Sequence, residues 1–343
     1  MARIETELRS FPVKFLALVL ALLSSSFSIP RPVVAWQESI PLPLPWAAEL
    51  PVYDHIVIVV EENKDYEEIL GNKDATYIND VLSKEGAILT NFYAEEHYSE
   101  GNYFWLFSGS NQHVGFIDSV PGRDFVTSNL GTELIRAGRS FKGYSEGLPE
   151  IGSLVGGQGL YARKHAPWVS FSNLPRGKTV TDSSNLRFPE DFPSDYNALP
   201  TVSFVIPNMA HDMHNGSTRP AIIAGDKWLR EHLDSYYKWA KQHNSLLVLT
   251  FDENNHGTMT GGVTDPGDKD PKKRNRIATI LGGAHIKHGE YGEGKGVTHV
   301  NVLRTLEAMY KLNRSGSQQW NALKAGIADD FVINDVFEGS IPH

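Results

Sequence analysis

Four stretches of the chain run through unbroken aliphatic and β-branched residues: HIVIVVEEN (55–63), TVSFVIPN (201–208), SLLVLTFDENN (245–255) and RIATILGG (276–283). Continuous rather than alternating hydrophobicity predicts strands buried on both faces, the pattern of a parallel sheet. Between them the apolar positions change period. Leu229, Leu233, Tyr236 and Ala240 follow helical spacing, as do Val302, Leu306 and Met309, and Asp226 is placed to cap the first of these helices. Strands alternating with helices predict an α/β layered domain with a largely parallel central sheet flanked by helices. Each of the first three strands ends abruptly in Glu-Glu-Asn, Pro-Asn or Asp-Glu-Asn-Asn. Open α/β sheets bind ligands beyond the carboxyl ends of their strands, so these endings mark a candidate site. Residues 146–200, rich in Gly, Pro and Ser with weak periodicity, read as a loop-rich insertion near that site within a single domain spanning 51–343.

The amino-terminal 35 residues follow different rules. Arg9 and Lys14 precede the apolar run FLALVLALL (15–23), and small residues follow at Val33, Val34 and Ala35. This is the layout of a cleaved export signal, with a run too short to span a bilayer comfortably; an uncleaved anchor is the alternative. Export predicts a secreted or periplasmic protein with no stable membrane span. Residues 36–50 read as a Pro-rich arm. The chain has no cysteine, so it uses neither disulfides nor thiol chemistry. Its 32 basic and 41 acidic residues give a net charge of −9 without long blocks of like charge, which argues against a nucleic-acid partner.

Chemistry-bearing residues cluster in four places, with His299 as a further candidate: Glu61-Glu62-Asn63, His97-Tyr98-Ser99 with Asn102, His211-Asp212-Met213-His214, and Asp252-Glu253-Asn254-Asn255-His256. The aromatic run Tyr103 to Phe107 behind Ser99 reads as a helix turn or strand pressed into the core, which would hold the serine at a fixed lip. Carboxylate, amide, hydroxyl and imidazole together suit a hard or borderline divalent ion. Singly, each has an ordinary structural reading: Asn63 as a turn residue, His214 as a surface histidine, Asp252-Glu253 as a blunted strand end. His113 and His256 read as structural, and the basic cluster 272–276 as a solvated loop.

In order and spacing, however, VEENKDY, HYSEGNYFWLFSGS, PNMAHDMHNGS, TFDENNHG and THVNVLRTLEAMY resemble the secreted phosphoesterase family of acid phosphatases and phospholipases C, within the alkaline-phosphatase superfamily. The resemblance implies an alkaline-phosphatase-like layered fold and a divalent metal ion held by Glu62, Asn63, Asp252, Glu253 and the nucleophile Ser99. It implies that His97 and Asn102 contact the phosphate, and that Asp212, His214 and His299 serve the leaving group or a second metal. The function it implies is a metal-dependent phosphomonoesterase acting on a small phosphate ester or a phospholipid through a phosphoserine. The alternatives are a phospholipase C-type phosphodiesterase and, on different grounds, a non-catalytic binding protein. The chain's end soon after the His299 segment favours the monoesterase. Tyr98 and Gly101 stand where the family has prolines, and His211 where it has asparagine; Gly101 is expected to loosen the turn that holds Asn102.

Overall fold

The computed structural model describes residues 50–116, 118–256 and 262–338; residues 1–35, read above as an export signal, and all but the last residue of the segment read as a Pro-rich arm lie outside them. Eight strands build one central sheet: β1 (His55–Glu61), β2 (Ala87–Leu89), β3 (Phe141–Glu146), β4 (Asn185–Phe188), β5 (Val202–Ile206), β6 (Ser245–Phe251), β7 (Ile280–Gly283) and β8 (Gly289–Tyr291). Their order across the sheet is β8-β2-β7-β6-β1-β5-β3-β4. The strand β1, buried along nearly its whole length, lies at the centre, parallel to β6 on one side and β5 on the other.

The sheet is mostly parallel, but the segment at 276–283 departs from the pattern. Only Ile280–Gly283 forms a strand, and β7 runs antiparallel to both β6 and β2. A doubly buried strand has the same composition in either direction, so its sequence does not disclose its sense.

Four helices matter for the site: α1 (Ser99–Ser108), α2 (Leu130–Arg136), α3 (Thr218–Ala240) and α4 (His299–Tyr310). The aromatic run after Ser99 is therefore helical. Phe107 packs 5.2 Å from the Phe141 ring and 5.8 Å from Phe204 on the sheet, and Phe104 stands edge-on to Phe125. These contacts bury the element and leave its first residue no freedom to wander. Helix α3 begins eight residues before Asp226, which is not its cap. The Asp226 carboxylate instead accepts hydrogen bonds from Thr76 Oγ1 and the Tyr77 and Ile78 amides, capping the helical turn at 78–82.

Segment 146–200 is loop-rich, yet it also supplies β4 at the sheet edge, parallel to β3, and a short hairpin pairing Gly157–Gln158 with Tyr161–Ala162. No helix among the described residues is long and apolar enough to cross a membrane.

Candidate active site

Parallel pairing of β1 with β6 sets Glu61 opposite Phe251, so the residues that follow each strand emerge side by side. The Asp252 amide donates to the Glu61 carbonyl at 2.9 Å, and the Asn63 amide to Asp252 Oδ1 at 2.9 Å. Asn63 adopts a left-handed backbone, φ 47°, which turns the chain sharply over the strand ends. Its side-chain amide is satisfied with the nitrogen on the Asp252 carboxylate (2.9 and 3.0 Å) and the oxygen on His214 Nε2 (3.1 Å).

Ser99 occupies the first turn of α1, beneath these carboxylates. Its hydroxyl donates to Glu62 Oε2 at 3.0 Å and makes a longer contact of 3.4 Å with Glu253 Oε1. The other oxygen of each carboxylate is also held: Tyr103 donates its hydroxyl to Glu62 Oε1 at 2.7 Å, and His97 Nδ1 lies 2.7 Å from Glu253 Oε2. The loop after β5 closes the far side. His214 Nδ1 stands 3.3 Å from Glu62 Oε2, and the His214 amide donates to Asp212 Oδ1. Met213 between them has φ 70°, and its side chain fills the notch left by Gly225 on α3, where a β-carbon would lie 2.4 Å from Met213 Cγ. That plug fixes the Asp212–His214 turn against a long helix.

The electrostatics follow from crowding carboxylates away from water. Burial works against the charge of Glu62, but His165, His214 and Lys164 outweigh it and hold this carboxyl well below the usual range. Burial, then repulsion from Glu62 and Glu253, pushes Asp252 far up. Burial also raises Glu253, against the pull of His97, and takes Asp212 to about 7 with Glu62's repulsion added. Glu61, fully buried behind the site, has neither oxygen hydrogen-bonded among the described residues, and Asp212 Oδ2 is likewise unpartnered.

Among the described residues no group of three His, Cys, Asp or Glu side chains forms a ready-made metal cage. The donor chemistry nevertheless fits a divalent cation. The Ser99 hydroxyl faces the buried Glu62 and Glu253 carboxylates, buried Asp252 and the Asn63 amide are joined beside them, Asp252 and Glu253 are destabilised by like charge, and a buried Asp212 oxygen lacks a partner among the described residues.

Glu62, Asn63, His97, Ser99, Asp212, His214, Asp252 and Glu253 are thus brought together. The structure gives Asn102 and His299 other work. Asn102 Oδ1 accepts from the Glu95 and Glu96 amides (3.1 and 3.0 Å) and its nitrogen donates to the Glu96 carbonyl (2.6 Å), so it clamps the turn leading into α1 instead of facing a phosphate. His299, fully buried, has Nδ1 on Glu95 Oε2 (2.6 Å) and Nε2 on the Phe251 carbonyl (2.8 Å), leaving no nitrogen for a metal or leaving group. His256 pairs with Asp65. Gly101 does not loosen the turn: its missing β-carbon makes room for the Glu96 carboxylate.

Sequence reasoning missed three residues. His165, buried and kept toward its neutral form by that burial, places Nε2 3.2 Å from Glu62 Oε1 and stacks on Tyr103 with ring centroids 5.2 Å apart. Lys164, paired with Asp118, lies within electrostatic reach of Glu62 and Asp252. Tyr103 looked like core. The histidine and lysine stand in the loop-rich segment, where no periodicity points inward; only their adjacency in Arg163-Lys164-His165 was visible.

Residues 72–313 match the Phosphoesterase family. A phosphatidylinositol-3-phosphatase of Mycobacterium tuberculosis is 43% identical over 284 residues, covering 83% of this chain and 86% of its own. A probable acid phosphatase of Kluyveromyces lactis is 28% identical over 294 residues, covering 79% of this chain, which spans 61% of that longer protein. Among solved structures, a protein in the alkaline phosphatase superfamily from Vibrio parahaemolyticus superposes with a TM-score of 0.52 at 10% identity, covering 84% of this chain and 73% of its own, a likeness of fold. The chain belongs to the phosphoesterase family and is a phosphoric ester hydrolase on an alkaline-phosphatase-type α/β fold.

Proposed function

We propose that this chain is an exported phosphomonoesterase that works through a phosphoseryl intermediate on Ser99, with a divalent ion held by Glu62, Asn63, Asp252 and Glu253. The observation that carries the reading is the Ser99 hydroxyl, buried at the first turn of a ten-residue helix and facing two carboxylates at 3.0 and 3.4 Å. A serine hydroxyl is a weak nucleophile until something activates it. A divalent ion bound there would lower the hydroxyl's pKa and offset the charge of the non-bridging phosphate oxygens.

The chain's own residues do the remainder. Ser99 Oγ bonds to phosphorus as the bond to the alcohol oxygen breaks, and its proton leaves toward the carboxylates it faces. The amino-terminus of α1 favours the anionic phosphoryl group. His97, oriented by Glu253 through Nδ1, keeps Nε2 for a phosphate oxygen, and half-exposed His214 stands at the open edge to protonate the departing alkoxide. Water then cleaves the phosphoserine and releases inorganic phosphate. The relatives named as a phosphatidylinositol-3-phosphatase and acid phosphatases support a monoester over a diester.

The test is hydrolysis of p-nitrophenyl phosphate against its bis-p-nitrophenyl diester by purified protein. The monoester is expected to be the better substrate; preference for the diester would move the chain to the phospholipase C type. Exported material should begin near Trp36, and an intact Met1 on membrane-bound material would refute cleavage.

A further inference from the structure

Lys64 is a buried charge that the chemistry above leaves unused. It is 2% exposed and follows Asn63, whose left-handed backbone turns the chain over the strand ends. Both of its chain neighbours are tied to the loop after β6. The Asn63 amide donates to Asp252 Oδ1 at 2.9 Å, and the Asn255 amide donates to Asp65 Oδ1 at 2.9 Å. Lys64 is thereby pinned beside residues 252–255. Its ammonium turns back and donates to the Asn63 carbonyl at 2.9 Å, and among the described residues it forms no ion pair. Glu68, the carboxylate that acts on it most strongly, is engaged elsewhere: Oε2 accepts from the Asp65 amide at 3.1 Å, and Oε1 lies 3.4 Å from Asn255 Nδ2.

A buried ammonium without an ion-pair partner is costly unless surrounding charge offsets the lost hydration. Burial disfavours the Lys64 charge, whereas Glu68, Asp252, Asp212 and Glu62 all favour it. Two of these four, Asp252 and Glu62, are the carboxylates assigned above to the divalent ion. Lys164, the other ammonium in their field, is already paired with Asp118. We propose that Lys64 is the built-in counter-charge of the cation site: anchored on the Asn63 carbonyl, it offsets part of the carboxylate charge in the metal-free protein and repels the bound ion. A fixed positive charge acts oppositely on the two forms, stabilising the empty cluster and loosening the filled one. The ion is thereby held exchangeably. The assignment rests on the divalent-ion reading.

The test is binding of Mn²⁺, a hard ion suited to oxygen donors. In calorimetric titration of chelator-stripped protein, Lys64→Gln should bind Mn²⁺ about tenfold more tightly than wild type, the low end expected for one unit charge in the neighbourhood of a divalent ion. Lys64→Arg keeps the charge and should bind as wild type does. Without metal, Lys64→Gln should melt below wild type, and saturating Mn²⁺ should close that gap. A side chain that served packing alone would lower both midpoints equally and leave the affinity unchanged or weaker, which overturns the proposal. So does an arginine variant that behaves as the glutamine variant. If the metal-free glutamine variant does not fold, Mn²⁺-loaded protein is mixed with excess EDTA. Slower release than from wild type supports the counter-charge; equal or faster release overturns it. Wild-type protein that takes up no Mn²⁺ overturns the divalent-ion reading and the role of Lys64 with it, whereas uptake with equal affinity in wild type and Lys64→Gln overturns that role alone.

Discussion

The Glu96 carboxylate occupies the space that a side chain on Gly101 would fill, with Oε1 only 1.6 Å from where the β-carbon would stand. Trp105 Nε1 (3.0 Å) and Asn111 Nδ2 (2.8 Å) fix that carboxylate from the other side, so it cannot swing away freely. Gly101→Ala is therefore expected to destabilise the protein by about 1–3 kcal/mol, the usual cost of overpacking, despite alanine's better helix propensity. Glu96→Ala in the same molecule should recover part of that loss, as denaturant unfolding of the single and double variants would show. Additive losses would mean that the two residues do not compete for space.

Glu96 also sets a pH dependence. Burial pushes its carboxyl up to about 7, against the hydrogen bonds of Trp105 and Asn111. Between its ordinary value of 4.5 and 7 the folded protein keeps a proton that the unfolded chain releases, so its contribution is full below that window and is lost as pH rises through it. Glu100, raised to about 8 by burial and Asp118, and Glu307, raised to about 7 by burial against Arg304, act in the same sense. His165, whose pKa is lowered chiefly by burial, opposes them: its contribution is lost as pH falls below its ordinary 6.5. Glu293, raised to about 8, and the raised carboxyls of the site act in the same sense as these three, so the groups favouring low pH outnumber His165 and the thermal midpoint should rise as the pH is lowered from 8 toward 5. Glu96→Gln should flatten part of that slope; an unchanged slope would remove Glu96 from the account.

Much of the architecture was legible because it rests on patterns the sequence carries openly. Strands β1, β5 and β6 are unbroken apolar runs, and their polar endings became the site because parallel register placed Glu62 beside Asp252. What stayed hidden depends on long-range contacts. Asp226 caps a turn some 150 residues away, an arrangement that no local window contains. Asn102 turned inward because its amide matches three backbone groups of residues 95 and 96. A motif gives the position of such a residue but not the direction its side chain takes.

His165 offers a test of a residue that came only from the fold. Its ring lies flat on Tyr103, and both reach Glu62 Oε1, at 3.2 and 2.7 Å. His165→Ala should remove the ring nitrogen beside Glu62 Oε1 and the ring stacked on Tyr103, and so lower kcat/KM for p-nitrophenyl phosphate by about 10- to 100-fold, in the range of a positioning group. Tyr103→Phe should cost less, since it keeps the stacking and removes one hydrogen bond. If His165→Ala retains wild-type kinetics, the histidine is packing alone.

Metal dependence can be tested apart from turnover. A cation that binds only the folded carboxylate cluster stabilises it by mass action, so chelator should lower both activity and the thermal midpoint, and a divalent ion should restore both. Asp252→Asn, which keeps the shape but removes one charge from the crowded set, should be more stable than wild type in chelator and no longer respond to added metal. Full activity in excess chelator would exclude the ion from the mechanism.

Ser99 carries the sharpest expectation. Its hydroxyl is the one oxygen shared between Glu62 and Glu253, and the aromatic packing of α1 holds it there without its help. Ser99→Ala should thus fold normally, with a thermal midpoint near that of wild type, yet lose several orders of magnitude in kcat because the covalent route is gone. Ser99→Thr keeps a hydroxyl and should keep measurable turnover. Acid quenching of the wild-type enzyme during turnover of a ³²P-labelled monoester should leave label on the peptide containing Ser99, and none in the alanine variant. A serine that merely capped the helix would give the opposite pattern: lower stability, near-normal kcat when folded, and no phosphoserine. Label on any other residue would move the nucleophile away from α1, and the carboxylates around Ser99 would then need a different explanation.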